Sequence, residues 1–314
     1  MNKKPLIVVT GPTASGKTEL AIKIAESLRT EIISADSMQI YKGIEIISAA
    51  PDENDKKRVK HHLVSFKELA DEYSVSDFIE DASDIIDNMG DKVPVICGGT
   101  GLYLSSLINN IDFSEDSHDE SLRLKLIEEM NEKGAEYMHR RLGELDSEAA
   151  DSIHPNNRVR VIRAIEIITL TGKSFSEYKA EARKNSGKYD YIILALNYLN
   201  RELLYDRINK RVDSMLQKGM LDEAKHALSK NPSKTALSAI GLKEFKSYFS
   251  GDVSFEEAIE KIKQGTRNYA KRQITWIKKM PNVNWIYLED FDSSDDIAEH
   301  SLKLIKERFT VEKK

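Results

Sequence analysis

The chain has 314 residues, 40% hydrophobic and 32% charged, with a formal net charge of −5 at pH 7. That length supports one large core or two smaller ones. No apolar run approaches the ~18 residues that span a bilayer, and Leu6-Ile7-Val8-Val9 is far shorter than the ~7–15 residues of a signal-peptide core. A single cysteine, Cys97, excludes an intrachain disulfide framework and a Cys-rich zinc site, and it fits a reducing cytoplasm.

The first element expected is a buried strand, Leu6–Thr10, which runs directly into glycine. Lys17 to Leu28 carries Leu20, Ile24 and Leu28 at helical spacing. Short strands follow at Glu31–Ser34 and Val93–Cys97, the latter closing on Gly98-Gly99. From about Leu122 to Tyr178 the pattern is helical only, as in Leu122-Leu126-Met130 and Val161-Ile165-Ile168. Ser114–Asp119 and Asn185-Ser186-Gly187 are the polar bridges into and out of this stretch. Strands return at Tyr191–Leu196 and Trp285–Leu288, with helices across Asn200–Lys230 and Ser254–Lys279. Strands alternating with helices and opening into Gly- or Ser-rich loops predict an α/β fold, a P-loop NTPase-like parallel sheet core with an inserted all-helical domain. The expected boundaries are 1–113 and 186–314 for the core and 114–185 for the insertion.

Gly11-Pro12-Thr13-Ala14-Ser15-Gly16-Lys17-Thr18 matches the P-loop pattern in full between the first strand and the first helix. Glycines turn backbone N–H groups toward phosphate oxygens, the helix N-terminus adds a favourable dipole, Lys17 neutralises the outer phosphate, and the Thr18 hydroxyl is placed to ligate Mg²⁺. The loop predicts a diphosphate or a triphosphate without saying which. Ser34-Ala35-Asp36-Ser37-Met38-Gln39 follows the second strand, where residues of an open parallel sheet line the ligand crevice. Asp36 there reads as a general base, a Mg²⁺ partner or a helix cap. Gly98-Gly99-Thr100-Gly101 either brings backbone close to a ligand with one hydroxyl, or is a plain turn.

The net charge disfavours a polyanion partner, but its distribution does not. Lys261 to Leu288 holds seven basic residues and no acid, and Pro155 to Ala164 holds Arg158, Arg160 and Arg163 with none. His61-His62 reads as structural or capping rather than metal-binding. Trp276 and Trp285 read as core or sheet-edge residues, and Met215, Leu216 and Met220 as core rather than a ligand pocket.

The P-loop, Ser34–Gly43, His61-His62-Leu63, Tyr73–Phe78, Gly98–Tyr103, Ile153-His154-Pro155-Asn156, Arg211-Val212-Asp213, Ala239-Ile240-Gly241 and Thr266–Gln273 occur in this order. Together they resemble the bacterial tRNA dimethylallyltransferase (tRNA isopentenyltransferase) family, from Gly11 to about Trp276. The resemblance implies transfer of a dimethylallyl group from dimethylallyl diphosphate to N6 of the adenosine 3′ of the anticodon, position 37, in tRNAs reading codons that begin with U. Asp36 matches the family's general base, and Thr100 and Arg211 match its other catalytic, substrate-binding positions. Gly11, Thr13, Ala14, Ser15, Gly16, Lys17 and Thr18 would hold the diphosphate, with Mg²⁺ on Thr18 directly or through water. The anticodon stem-loop would meet Asp36, Ser37, Met38, Gln39, Thr100, Arg123, Val159, Arg160, Val161, Ile162, Arg163 and Lys243. A cytoplasmic monomer is expected. The resemblance weakens after Gly43. The family usually runs Met-Asp-Ile-Gly-Thr-Ala-Lys-Pro where this chain has Ile44-Glu45-Ile46-Ile47-Ser48-Ala49-Ala50-Pro51, and Leu242 replaces a common aromatic. Rival readings are prenylation of a free adenine nucleotide, a P-loop small-molecule kinase and a non-catalytic RNA-binding protein. The helical insertion and second basic cluster would be superfluous in the first, and the third leaves the P-loop and Asp36 without a role.

Overall fold

The computed structural model describes residues 3–109, 119–182 and 187–311. Of the expected bridges Ser114–Asp119 and Asn185-Ser186-Gly187, all but Asp119 and Gly187 lie outside the described residues. By contact density the chain forms two compact units, 1–108 with 189–314, and 109–188.

The larger unit is built on a six-stranded sheet: β1 (Lys4–Thr10), β2 (Ile32–Ser34), β3 (His61–His62), β4 (Val95–Cys97), β5 (Tyr189–Asn197) and β6 (Val283–Tyr287). The order is β3-β2-β4-β1-β5-β6, and every pairing is parallel. Parallel strands buried on both faces are continuously apolar, and β1 shows why. Leu6 and Val8 enter one core with Phe78, Tyr103 and Phe245, while Ile7 and Val9 enter the other with Leu20, Ile24 and Ile305. The first helix spans Lys17–Leu28, as its periodicity predicts, and ends at Arg29 in the left-handed conformation. Ser74 and Ser254 open later helices with reciprocal capping boxes to Asp77 and Glu257.

Several boundaries move. Val93 and Pro94 stay outside β4, because proline has no N–H for the ladder; its carbonyl still accepts from Ile7 N–H at 3.1 Å. β5 is longer than expected at both ends, and Leu288 leaves β6 for a short 3-10 turn, Leu288–Asp290. The helical stretch expected across Asn200–Lys230 forms two helices, Arg201–Gln217 and Met220–Ser229, broken where Gly219 takes φ 97°. Trp285 lies on the edge strand β6 with its ring 6.5 Å from that of Tyr287.

The adjacent histidines are structural. His62 Nε2 meets Glu31 Oε2 at 2.7 Å, and the same carboxylate receives Lys92 at 2.8 Å and Lys60 at 3.3 Å. These bonds, that from Lys92 first and then that from His62, hold the Glu31 carboxyl at about 2. Because the folded value lies below the ordinary one, this stabilisation is fully present above pH ~4.5 and is lost as pH falls through about 2. Glu31→Gln therefore flattens the acid limb of the unfolding free energy by about 1–2 kcal/mol after solvent screening, measured by urea titration between pH 5 and 2. An unchanged limb would show that Glu31 contributes nothing through its charge.

Among its described residues the smaller unit has helices and no strand: Glu120–Lys133, Ala135–Leu145, Ser147–Ser152, Arg158–Thr171 and Phe175–Ala182. Its core gathers Leu126, Met130, Met138, Leu142, Val161 and Ile165.

Candidate active site

The P-loop leaves β1 at Gly11 and enters the first helix at Gly16, whose φ of 84° aims the amides of the first turn outward. The N–H groups of the first turn have no intrahelical carbonyl, and the helix dipole adds to their positive field. Ala14 accepts a left-handed φ of 65°, a strain that a non-glycine residue bears only where surrounding bonds impose it. One such bond runs from Arg207 Nε to the Ala14 carbonyl at 3.3 Å. Ser15 Oγ is buried without a protein partner, inside the loop's curve.

Two further loops stand beside it because β2 and β4 neighbour each other and β4 neighbours β1. Thr10 Oγ1 donates to the Gly98 carbonyl at 2.9 Å, and Thr100 N–H donates to the Ala35 carbonyl at 3.2 Å. A Cβ on Gly98 would lie 2.2 Å from the Ala35 carbonyl oxygen, so glycine is a steric requirement where these loops touch. Thr100 Oγ1 accepts from Ser37 N–H at 3.0 Å, and Asp36 Oδ1 accepts from Met38 N–H at 3.0 Å. Both bonds shape the turn that presents Asp36. Gln39 also lines the crevice, its amide accepting from the Ser34 hydroxyl and donating to the Ala49 carbonyl.

Asp36, Ser37, Met38, Gln39, Arg211 and the P-loop residues Thr13, Ala14, Gly16, Lys17 and Thr18 line one cavity of about 500 Å³. Gly11 and Ser15 are buried behind the loop. Burial lowers the Lys17 ammonium from its ordinary range, and Arg211 lowers it further while Asp36 and Cys97 act the other way. The Arg211 guanidinium is likewise lowered by burial and raised by Asp36. Two cations and one carboxylate thus share a partly buried space in which their mutual fields are stronger than in bulk water. Cys97, whose thiol burial raises to about 12, packs behind Lys17 and is no nucleophile.

The other wall was less legible. Met215 and Met220 belong to the core and line the cavity as well, so reading them as core alone was incomplete. Ile47, in the segment where the resemblance breaks down, lines it too, and its N–H and that of Ile46 are held by the Glu223 carboxylate at 2.7 and 2.9 Å. The helix Phe255–Ile277 supplies Ile262, Thr266, Tyr269, Arg272 and Gln273. Thr266–Gln273 stood out only as a motif, and nothing in its pattern marks Gln273, a neutral residue, as part of a site.

The expected RNA contacts fare unevenly. Lys243 is exposed on the helix Leu242–Phe249 and does not line the cavity. Arg123, Val159, Arg160, Val161, Ile162 and Arg163 belong to the smaller unit. Val159 is 67% exposed, and Arg160 is exposed. Val161 and Ile162 need correcting: at 0% and 6% exposure their side chains fill that unit's core and are not offered to a ligand. Arg123 and Arg163 remain partly exposed while bonding the buried Glu166 at 3.3 and 3.0 Å. Among the described residues no group of three or more His, Cys, Asp or Glu is placed to hold a metal. No helix of the described residues is long and apolar enough to cross a membrane.

Sheet, loop and cavity define a class: a P-loop α/β protein, the architecture that presents phosphate oxygens to a helix N-terminus. The sequence of residues 39–280 matches the family described as IPP transferase, and the chain belongs to that family. It is 48% identical over 299 residues to a tRNA dimethylallyltransferase of Acetivibrio thermocellus, covering 94% of this chain and 95% of that one. It is 44% identical over 311 residues to one of Clostridioides difficile, covering 98% and 99%. The crystal structure of the full-length tRNA isopentenylpyrophosphate transferase from Bacillus halodurans superimposes with a TM-score of 0.73 at 36% identity over the whole of both chains. A eukaryotic dimethylallyltransferase acting on tRNA gives 0.83 at 31% identity, covering 97% of this chain and 80% of the other.

Proposed function

We propose that the chain transfers a dimethylallyl group from dimethylallyl diphosphate to N6 of the adenosine at position 37, 3′ of the anticodon, in tRNAs reading codons that begin with U. Prenyl transfer to tRNA is the activity in the names of its relatives. The observation that carries the site assignment is one cavity shared by Asp36, Lys17, Arg211 and the P-loop, with an apolar wall of Met215, Met220 and Ile47 for the prenyl chain. As the bond from N6 to C1 of the donor forms, the bond from C1 to the diphosphate oxygen breaks. The electron pair leaves with diphosphate, and the N6 proton passes to Asp36, whose help an aromatic amine needs because it is a weak nucleophile. Lys17, Arg211 and the loop amides stabilise the charge growing on the leaving group. Thr100 holds the Asp36 turn through its bond to Ser37.

Magnesium fits the donor chemistry. The Thr18 hydroxyl beside diphosphate oxygens is a hard, oxygen-only set of the kind that leaves the ion several waters. When bound it would supply further neutralisation of the leaving group. The target base leaves its stack to reach the cavity, and the contacts proposed for the anticodon stem-loop are Arg123, Val159, Arg160 and Arg163 of the smaller unit and Lys243 of the larger. The enzyme acts as a cytoplasmic monomer.

The test is a transfer assay with labelled dimethylallyl diphosphate, Mg²⁺ and unmodified tRNA, run in parallel with labelled ATP and no prenyl donor. Label appearing at the anticodon loop with ATP inert supports the proposal. Phosphate release from ATP with no label in tRNA would return the P-loop to a kinase or NTPase role.

A further inference from the structure

The P-loop pattern alone leaves open whether two phosphates or three are bound, and the rest of the fold answers this at one residue. Gln273 is 2% exposed, on the helix Phe255–Ile277. Its Oε1 accepts from the Thr13 N–H at 2.8 Å, and its Nε2 donates to the Gly99 carbonyl at 3.2 Å. Amide oxygen meets N–H and amide nitrogen meets carbonyl, so the reversed orientation would set donor against donor and acceptor against acceptor. A Cβ on Gly99 would stand 1.9 Å from Nε2, so the glycine makes room for the bridge. One helical turn earlier, Tyr269 lines the same cavity.

The amides around the loop are thereby divided. The Ser15 N–H turns back to the Pro12 carbonyl at 3.3 Å, and Leu20 N–H takes the Gly16 carbonyl at 3.2 Å. Gly16, Lys17, Thr18 and Glu19 keep N–H groups that no helical carbonyl can satisfy. The rim open to phosphate is therefore at the helix end of the loop, and the far rim, at Thr13, is already bonded to protein. A phosphate there would have to displace a buried glutamine held at both ends.

We propose that Gln273 sets the number of phosphates this loop accepts: by occupying the Thr13 amide it makes a diphosphate site and disfavours triphosphates. The inference rests on the donor reading above and adds to it a specificity-determining residue that touches the loop rather than the reacting atoms. It also explains how a P-loop protein in a cell rich in ATP keeps its site for a scarcer diphosphate.

Inorganic diphosphate and tripolyphosphate, each with saturating Mg²⁺, are titrated into the full chain by calorimetry. The unsubstituted protein is expected to favour diphosphate by about tenfold or more, the worth of one hydrogen bond to a charged group, and Gln273→Ala to bring the ratio close to one. General loosening of the loop would weaken both ligands together and leave the ratio alone. A ratio unchanged in a folded Gln273→Ala variant, or no preference in the unsubstituted protein, overturns the proposal. Binding of neither ligand would overturn the donor reading as well, which separates the two failures. Should the variant not fold, amide hydrogen exchange on the unsubstituted protein decides. Diphosphate is expected to slow exchange at Lys17 and Thr18 and leave Thr13 unchanged, whereas new protection at Thr13 would overturn the proposal.

Discussion

Asp36→Asn is expected to lower kcat for prenyl transfer by about 10²–10⁴-fold, the range for a positioned general base, without weakening the binding of diphosphate. The amide keeps the size of the side chain and cannot take the N6 proton. It also removes a negative charge that acts on both Lys17 and Arg211. Both cations are then left to the phosphates, so diphosphate affinity holds or rises while turnover collapses. Single-turnover transfer together with calorimetry of inorganic diphosphate checks both halves. A variant retaining kcat within about threefold would place the proton elsewhere, with water as the acceptor.

Lys17→Ala is expected to cost about 10²–10³-fold in kcat/KM, as loss of one charge-stabilising group at a leaving anion does. The pH dependence discriminates further. Burial lowers the Lys17 ammonium, so in the free enzyme its charge is present at low pH and lost as pH rises, earlier than for an ordinary lysine. Because kcat/KM reports the free enzyme, its alkaline limb falls below the usual lysine range. Bound diphosphate favours the charged form, so the limb of kcat lies higher. Lys17→Arg, permanently charged, removes the alkaline limb from kcat/KM even if its geometry lowers the plateau. A limb persisting unchanged in the arginine variant would assign it to another group.

What the sequence disclosed of this site follows from how local each signal is. The P-loop and the helix Lys17–Leu28 are written in contiguous residues: a strand, two glycines and an apolar repeat. Asp36 was found because strand ends in a parallel sheet point to one crevice. The two-residue strand β3 is too short to carry a period, and it exists because β2 offers it an edge and Glu31 anchors His62. The break at Gly219 hides among flanking residues that all favour a helix. Gln273 could not be found by pattern, since its partners Thr13 and Gly99 are remote in sequence and offer backbone atoms, which leave no trace in residue type. Val161 and Ile162 failed as contacts for the opposite reason. They sit among arginines in the chain, and only the helix Arg158–Thr171 shows them turned inward.

The bond from Thr13 to Gln273 joins positions 260 residues apart. On the ribosome the phosphate loop therefore emerges roughly 13–52 s before the glutamine that closes it, at the usual 5–20 residues per second. Over that interval the nascent chain carries an open nucleotide-type loop with no Tyr269, no Arg272 and no far wall. Competence for chemistry arrives as a late event of synthesis, when the helix Phe255–Ile277 docks. A chain cut short before that helix is an unfinished pocket rather than a weakened enzyme.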